Sequence, residues 1–163
     1  MPKATDIRLV RVTSETEQFN YRTPIKFGGR VVNDVVLLNV TAEVETRDGR
    51  RGTGFGSMPM GNVWAWPSAT TTVDQSLHAM TALGQNLAKG ANDYQGMGHP
   101  LEITHDLAAG YQAAADKVTC SMGIEPMPRL AQMVSASPLE AAVHDAYGKT
   151  LGQNSYNLLS AEF

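Results

Sequence analysis

The spacing of apolar residues changes once along this chain, and that change limits the folds that the chain can adopt. Across residues 35–45, apolar and polar side chains alternate, which is the period of a half-buried β-strand. From Ser68 onward, apolar residues recur every three or four positions instead, which is the period of amphipathic helices. Strands that precede helices, rather than alternating with them, indicate an α+β layer domain and not a doubly wound sheet.

The first part of the chain predicts three strands in an antiparallel meander. The alternating strand runs into Asp48-Gly49, a tight-turn sequence because glycine accepts a positive φ. Residues 52–58 then read as the returning strand, and residues 6–16 as an earlier one. The segment 17–34 is predicted to be a long polar and aromatic loop, because a minimal hairpin would need no such length.

The second part predicts a bundle of three to four helices. One helix is expected to begin after Ser68 and to end at Gly90, because glycine commonly follows the last turn of a helix. Another is expected to begin at His99-Pro100 and to continue to Gly123, since proline is favoured at the first helical position.

The last helix has the clearest start signal in the chain. Ser137 precedes Pro138 and stands three residues before Glu140, so that Ser137 is predicted as the N-cap and Glu140 as its partner in a capping box. A separate short helix is expected at residues 130–134. Glycines at positions 148 and 152 mark the predicted end.

Composition and charge exclude several classes of function. A (β/α)8 barrel needs about 250 residues, so 163 residues cannot contain a complete one. The net charge of −3, with basic and acidic residues scattered along the chain, argues against binding to nucleic acid or to an anionic membrane. No apolar run is long enough for a membrane span.

A single cysteine, Cys120, is expected to be buried and unreactive. We predict a cytoplasmic protein.

The histidines and glycines do not form a recognisable catalytic or metal motif. The four histidines, at positions 78, 99, 105 and 144, have no zinc-ligand spacing, and surface or helix-capping roles are favoured for them. The glycine-rich stretch 52–56 lacks the lysine of a phosphate-binding loop. These observations argue against a nucleotide site.

Two apolar connections are better candidates for a functional site. Residues 19–29 combine aromatic side chains, cations and two terminal glycines, and residues 58–67 contain both tryptophans of the chain. Connections this apolar usually lie against something. Either they attach the sheet to its own helices, or they close over a ligand or partner domain, with Tyr21, Arg22 and Lys26 available to hold an anionic group.

Four segments together resemble a known domain. They are the hairpin at residues 45–56, the helix start at residues 99–103, the stretch 135–152 (SASPLEAAVHDAYGKTLG), and the connection 156–159. In order and spacing they resemble the N-terminal capping domain of the enolase superfamily, in particular its mandelate racemase and muconate lactonizing enzyme group. Residues 1–152 would be the capping domain and residues 153–163 the connection toward a C-terminal barrel.

The resemblance implies a division of labour. In this family a base removes the proton α to a carboxylate, and magnesium stabilises the enolate that results. The bases and metal ligands belong to barrel strands. We therefore expect no catalytic or metal-binding residue in this chain, although Mg2+ is expected in a full-length enzyme, whether racemase, cycloisomerase or acid-sugar dehydratase. The chain alone is expected to be inactive.

The family's capping domain determines specificity through two mobile loops, which correspond to the two apolar connections. The resemblance implies that residues in both would line the roof of the site; these are Tyr21, Arg22, Thr23, Lys26, Phe27, Met60, Asn62, Trp64 and Trp66. Their tryptophans and basic groups point to a polar carboxylate substrate such as a sugar acid.

Two functions from different classes follow. The chain is either such a specificity cap, with a (β/α)8 barrel and a carboxylate substrate as partners, or a free-standing binding or dimerisation module without chemistry. A cap should expose loop aromatics and one helical face, and should self-associate when isolated, so a homo-oligomer is expected. A module that evolved alone should pack those groups internally.

Overall fold

A three-stranded antiparallel sheet forms one layer of the protein, with strand order β1-β2-β3. The structure, a computed structural model, describes residues 2–27, 30–160 and 162–163. Strand β1 spans Ile7–Phe27, β2 spans Arg30–Thr46 and β3 spans Arg51–Pro59. The predicted meander is therefore confirmed, as is the α+β class. Gly49 forms the turn between β2 and β3 with φ 89°, as its Asp-Gly sequence predicts.

The predicted loop at residues 17–34 is wrong: it is mostly paired strand. β1 and β2 continue past β3, whose pairing with β2 stops at Leu37, and they form a two-stranded extension of residues 18–27 and 30–36, called the ribbon below. The register shifts between Asn20 and Ile25. Aromatic and β-branched residues are frequent in both halves, and such side chains fit a paired strand. Gly28 and Gly29 lie outside the described residues.

In the described residues, five α-helices follow the sheet. They are α1 (Asn62–Ala65), α2 (Val73–Gly90), α3 (Pro100–Ala108), α4 (Tyr111–Met122) and α5 (Arg129–Leu151). Single 3-10 turns follow α2 and α5, at Ala91–Asp93 and Ser155–Asn157. Helix α2 begins at a capping box formed by Thr72 and Gln75 and ends at Gly90, as predicted. None of the helices in the described ranges is both long and apolar enough to cross a membrane.

The helix predicted from His99 to Gly123 is divided into α3 and α4. The division falls at Ala109 and Gly110, where glycine weakens a helix interior. The apolar stripe continues across this break, which is why spacing alone predicted one helix. Cys120 lies near the end of α4 and is exposed, so its predicted burial is wrong.

The predicted helix start at Ser137 is also wrong, because α5 runs without interruption from Arg129 and contains Pro138. The Ser137 hydroxyl donates a hydrogen bond back to the Met133 carbonyl, 2.8 Å away, instead of capping a new helix. Proline inside a helix removes one backbone hydrogen bond. Helix α5 accommodates this loss because its central residues, including Leu139 and Val143, are fully buried.

The core lies between the sheet and helices α2 and α5. The inner face of β2, with Leu38, Val40 and Val44, is buried against them. Helix α5 lies so close to β3 that a Cβ at Gly54 would collide with the backbone of Ala142 and Ala146. The glycines of β3 therefore allow close approach of a helix.

Candidate functional site

A groove of about 510 Å3 lies between the ribbon, α1 and the first turn of α2. The ribbon forms one side, and the segment between β3 and α2 forms the other. The described residues that line it are Tyr21, Ile25, Arg30, Val31, Val32, Asn33, Asp34, Val35, Val36, Pro59, Met60, Gly61, Asn62, Val63, Trp64, Val73, Asp74 and Leu77. The two connections predicted to form a site thus meet at one surface.

Residues 60–72, called the wall below, line the groove through residues 60–64 only. The first half of this wall is attached to the fold by Met60 and Asn62. The Met60 amide donates to the Val36 carbonyl at 2.8 Å, and the Met60 side chain is buried. The Asn62 side-chain amide donates to the Val73 carbonyl at 2.7 Å and to the Ser76 hydroxyl at 2.9 Å. Helix α1 is therefore bonded directly to α2.

Glu125, on the connection between α4 and α5, attaches the second half of this wall. Its carboxylate accepts hydrogen bonds from the Trp66 indole N–H at 3.0 Å and from the Thr70 hydroxyl at 2.7 Å. Hydrogen bonds from Ser68, Thr70 and Trp66 lower the pKa of Glu125 to about 2, because they favour the ionised form. Glu125 is therefore charged at neutral pH.

Four of the nine predicted site residues line the groove, and they differ in exposure. Tyr21 and Trp64 present 39% and 42% of their surface to solvent, whereas Met60 and Asn62 are buried. Trp66 is also buried and lines an adjacent cavity of about 170 Å3. Among the described side chains, Tyr21 and Trp64 are therefore the predicted aromatic residues that a bound molecule can reach.

The remaining predicted residues lie elsewhere on the ribbon. Arg22, Thr23 and Lys26 are exposed and are not among the groove-lining residues. The side chain of Phe27 lies outside the part of the protein that the structure describes. The structure therefore does not bring the two predicted cations into the groove.

Fourteen of the eighteen described lining residues are not among the nine predicted ones, and they include Asp34, Asp74 and Leu77. A loop at residues 17–34 gives no reason to select Asp34, whereas the strand register places it opposite Asn20. Asp74 and Leu77 lie one turn apart on α2. A helical wheel that begins at Thr72 would place them on one face.

Two histidines, His99 and His144, contact other parts of the fold. His99 is the N-cap of α3: its Nδ1 accepts from the Leu101 amide at 3.1 Å, while its Nε2 lies 2.9 Å from the Leu158 carbonyl. His144 is half-buried, and its ring centroid lies 6.5 Å from that of His99. Burial and the neighbouring His99 lower the pKa of His144.

The described side chains do not form a metal-binding group. Within residues 2–27, 30–160 and 162–163, no three His, Cys, Asp or Glu side chains are grouped so that they could hold a metal ion. The described residues thus do not fit a magnesium site. The groove can bind a ligand through apolar contacts, aromatic rings and a few charged groups.

Comparison with known proteins shows similarity in fold only. No family model matches this chain, and no curated protein matches its sequence. Among solved structures, the mandelate racemase/muconate lactonizing enzyme-like protein from Rubrobacter xylanophilus matches 93% of this chain at 15% identity and a TM-score of 0.52. The match covers 33% of that protein.

Two further structures match over a similar range. L-talarate/galactarate dehydratase from Salmonella typhimurium LT2 matches 98% of this chain at 18% identity and a TM-score of 0.51, over 34% of its own length. Dipeptide epimerase from Enterococcus faecalis V583, complexed with Mg and L-Leu-L-Tyr, matches 94% at 12% identity and a TM-score of 0.50, over 35% of its length.

This chain therefore spans about a third of the length of the proteins that it matches. At such identities the likeness extends to fold alone. In that fold, the chain is similar to the third of each of these proteins that it matches.

Proposed function

We propose that this chain is the substrate-specificity cap of a magnesium-dependent enzyme of the mandelate racemase and muconate lactonizing enzyme type. Such an enzyme would be a racemase, cycloisomerase or acid-sugar dehydratase that abstracts the proton α to a carboxylate. The observation that supports this most is the groove: it lies where the two connections that the resemblance assigns to specificity come together.

The proposal divides the work between two domains. Residues 1–152 would form the cap, and residues 153–163 would lead to a (β/α)8 barrel that carries the base and the metal ligands. The Mg in the dipeptide epimerase supports magnesium in the full-length enzyme, where it would stabilise negative charge on the reacting carboxylate. Because the described residues offer no metal site, the chain alone is proposed to be inactive.

The cap would act by binding and by excluding water. Tyr21 and Trp64 would contact the part of a carboxylate substrate that lies away from the reacting carbon, and the ribbon would cover it. Removing water from this region strengthens the electrostatic interactions at the reacting carbon. Arg22, Thr23 and Lys26 remain proposed contacts, which would need movement of the ribbon to reach the groove. Phe27 also remains a proposed contact.

A second candidate is a free-standing binding or dimerisation module. The burial of Met60 and Trp66 in the core favours it, because these apolar groups need no partner domain to cover them. The exposed apolar side chains favour a cap instead. They include Ile25 and Val31 on the ribbon, and Tyr156 and Leu159 in the segment after α5.

Light scattering and binding of a hydrophobic dye to the purified chain separate the two candidates. A cap that lacks its barrel should bind dye and self-associate, and Ile25→Ser with Val31→Ser should reduce both effects. Leu130→Ser, which removes an exposed apolar residue from α5, is the matched control and should reduce them less. A monomeric wild-type chain that binds little dye would instead support the free-standing module.

We also propose a cytoplasmic, homo-oligomeric protein without nucleic-acid or membrane partners. The net charge of −3 supports the last two points. The exposed apolar surface described above supports self-association.

A further inference from the structure

The polarity of the groove differs from what a sugar acid requires. Its reachable surface is mainly apolar, with Tyr21, Ile25 and Val31 on the ribbon, Trp64 on α1 and Leu77 on α2. A polyhydroxylated chain that enters such a surface loses hydrogen bonds to water, and each polar group left unpaired raises the free energy of the complex.

The side-chain hydrogen-bond donors among the described lining residues that could replace that water are mainly neutral: the Tyr21 hydroxyl, the Asn33 amide and the Trp64 indole. The cations Arg22 and Lys26, which suggested an acidic ligand, are not among the lining residues. The side-chain amide of Asn62 already donates to Val73 and Ser76. Arg30 is therefore the one cationic side chain among the described lining residues, and it is exposed.

The charge of the groove is negative on balance. Asp34 and Asp74 both line it, and in the described part of the chain neither carboxylate forms an ion pair. Asp34 accepts one hydrogen bond, from the Gln18 amide at 2.8 Å, and Asp74 is exposed. The faces of Tyr21 and Trp64 also attract cations through their π-electrons.

We propose that the groove binds the apolar, positively charged end of the substrate: a hydrocarbon or aromatic body that carries an ammonium group. The inference rests on the proposed function, in which the reacting carboxylate lies outside the cap. The apolar body would cover Ile25, Val31 and Leu77, and the ammonium group would lie near Asp34 or Asp74. The substrate would then be an amino-substituted carboxylate rather than a sugar acid.

Three probes of the purified chain test this proposal. They are 2-phenylethylammonium, 3-phenylpropionate, which has a similar body and the opposite charge, and gluconate as the sugar acid. Amide and indole shifts in 15N NMR spectra locate each probe, and Trp64 serves as the reporter in the groove. We expect the ammonium probe to shift Trp64 and Val31 and to bind about fivefold more tightly than 3-phenylpropionate. Gluconate should shift neither residue.

Charge variants test the cause. Asp34→Asn combined with Asp74→Asn should weaken binding of the ammonium probe about fivefold. Asp93→Asn, which removes an exposed acid after α2, is the matched control and should have no effect. Arg30→Gln should strengthen ammonium binding and weaken 3-phenylpropionate. Circular dichroism confirms that each variant is folded.

Four results overturn the proposal: equal or tighter binding of 3-phenylpropionate, a groove shift with gluconate, an ammonium affinity that the double variant leaves unchanged, or no groove shift with any probe. Because Ile25 and Val31 line the groove and also favour self-association, the spectra are recorded at a dilution at which light scattering shows a monomer. The specificity cap can then stand while this substrate class fails. Conversely, ammonium binding by a monomeric chain that binds little dye would retain the site and reject the cap.

Discussion

Single residues determine how closely the two layers of this protein approach. Gly52, Gly54 and Gly56 alternate along β3 and face α5, where side chains would meet helix backbone. Their conformations need no positive φ, so the reason for glycine here is space. An enzyme cap and a free-standing module would need this contact equally, because it holds α5 on the sheet.

Gly54→Ala should destabilise the protein strongly. The new Cβ would collide with the backbone of Ala142 and Ala146, which flexible side chains cannot relieve. We expect a loss of at least about 2 kcal/mol in the free energy of unfolding, measured with urea. Gly90→Ala is the matched control: its site is open and helical, with φ −65°, and it should gain about 0.5 kcal/mol. Similar effects of both variants would contradict the close approach.

His144 should make stability depend on pH. Burial and the neighbouring His99 lower its pKa in the folded protein, while the unfolded chain titrates near the ordinary value of about 6.5. The unfolded chain therefore binds more protons as pH falls below that value. The free energy of unfolding should be level above about pH 6.5 and should decrease toward pH 5.5.

His144→Gln should remove part of this decrease. Urea unfolding at pH 7.5 and at pH 5.5 measures the decrease in the free energy of unfolding. Most carboxylates stay ionised between these two pH values. The other three histidines remain in both proteins, so the difference between wild type and variant reports His144 together with its coupling to His99. An identical decrease in both proteins would show that His144 does not contribute.

At the scale of elements, His99 joins the start of α3 to the segment after α5. Because Nδ1 accepts a hydrogen bond from the Leu101 amide, the ring proton is on Nε2. The Nε2–H group then donates a hydrogen bond to the Leu158 carbonyl. Leu158 itself is fully buried. One neutral imidazole therefore caps a helix and holds the last part of the chain against the domain.

Two substitutions separate these roles. His99→Ala removes both hydrogen bonds and should lower the free energy of unfolding by about 2 kcal/mol. His99→Asn retains a good N-cap acceptor but is too short to reach Leu158, so it should lose about 1 kcal/mol. Urea unfolding gives both values. Equal losses would mean that helix capping by residue 99 adds no stability beyond that of the contact with Leu158.

The ribbon and α5 show where patterns of single elements mislead. Residues 17–34 contain strand-forming side chains without clean alternation, so pairing between β1 and β2 decides their conformation. Ser137-Pro138 has the composition of a helix start, but burial of α5 on both sides of it keeps the helix continuous. In both segments, contacts between residues distant in sequence outweigh local propensity.

For the whole molecule, we predict no magnesium-dependent proton exchange by the chain alone. Mandelate or a dipeptide, incubated with the chain and Mg2+ in D2O, should retain its α-proton by 1H NMR, because the described residues group no metal ligands. The background without protein is the control. Exchange that disappears on mutation of a residue in this chain would show that the chain contains catalytic groups.

The candidate site was predictable in part. Parts of both predicted connections, 19–29 and 58–67, line the groove, including Tyr21 and Trp64, but residues 30–36 and the start of α2 were not predicted. Composition could not distinguish Trp64 from Trp66, two positions later, which is buried with its indole bonded to Glu125. Such a difference depends on how α1 and the residue that follows it pack against the core.

Local sequence patterns are sufficient to predict the order of strands and helices, the turn at Asp48-Gly49 and the start of α3 at His99. Each depends on residues close together in the chain, whose spacing and backbone preferences act before any packing. Tertiary structure alone decided that the ribbon is paired, that α5 passes through Pro138, and that Asp34 and Asp74 share a groove while Arg22 and Lys26 stay outside it. The physical reason is that burial and pairing join residues far apart in sequence, and local patterns carry no record of those partners.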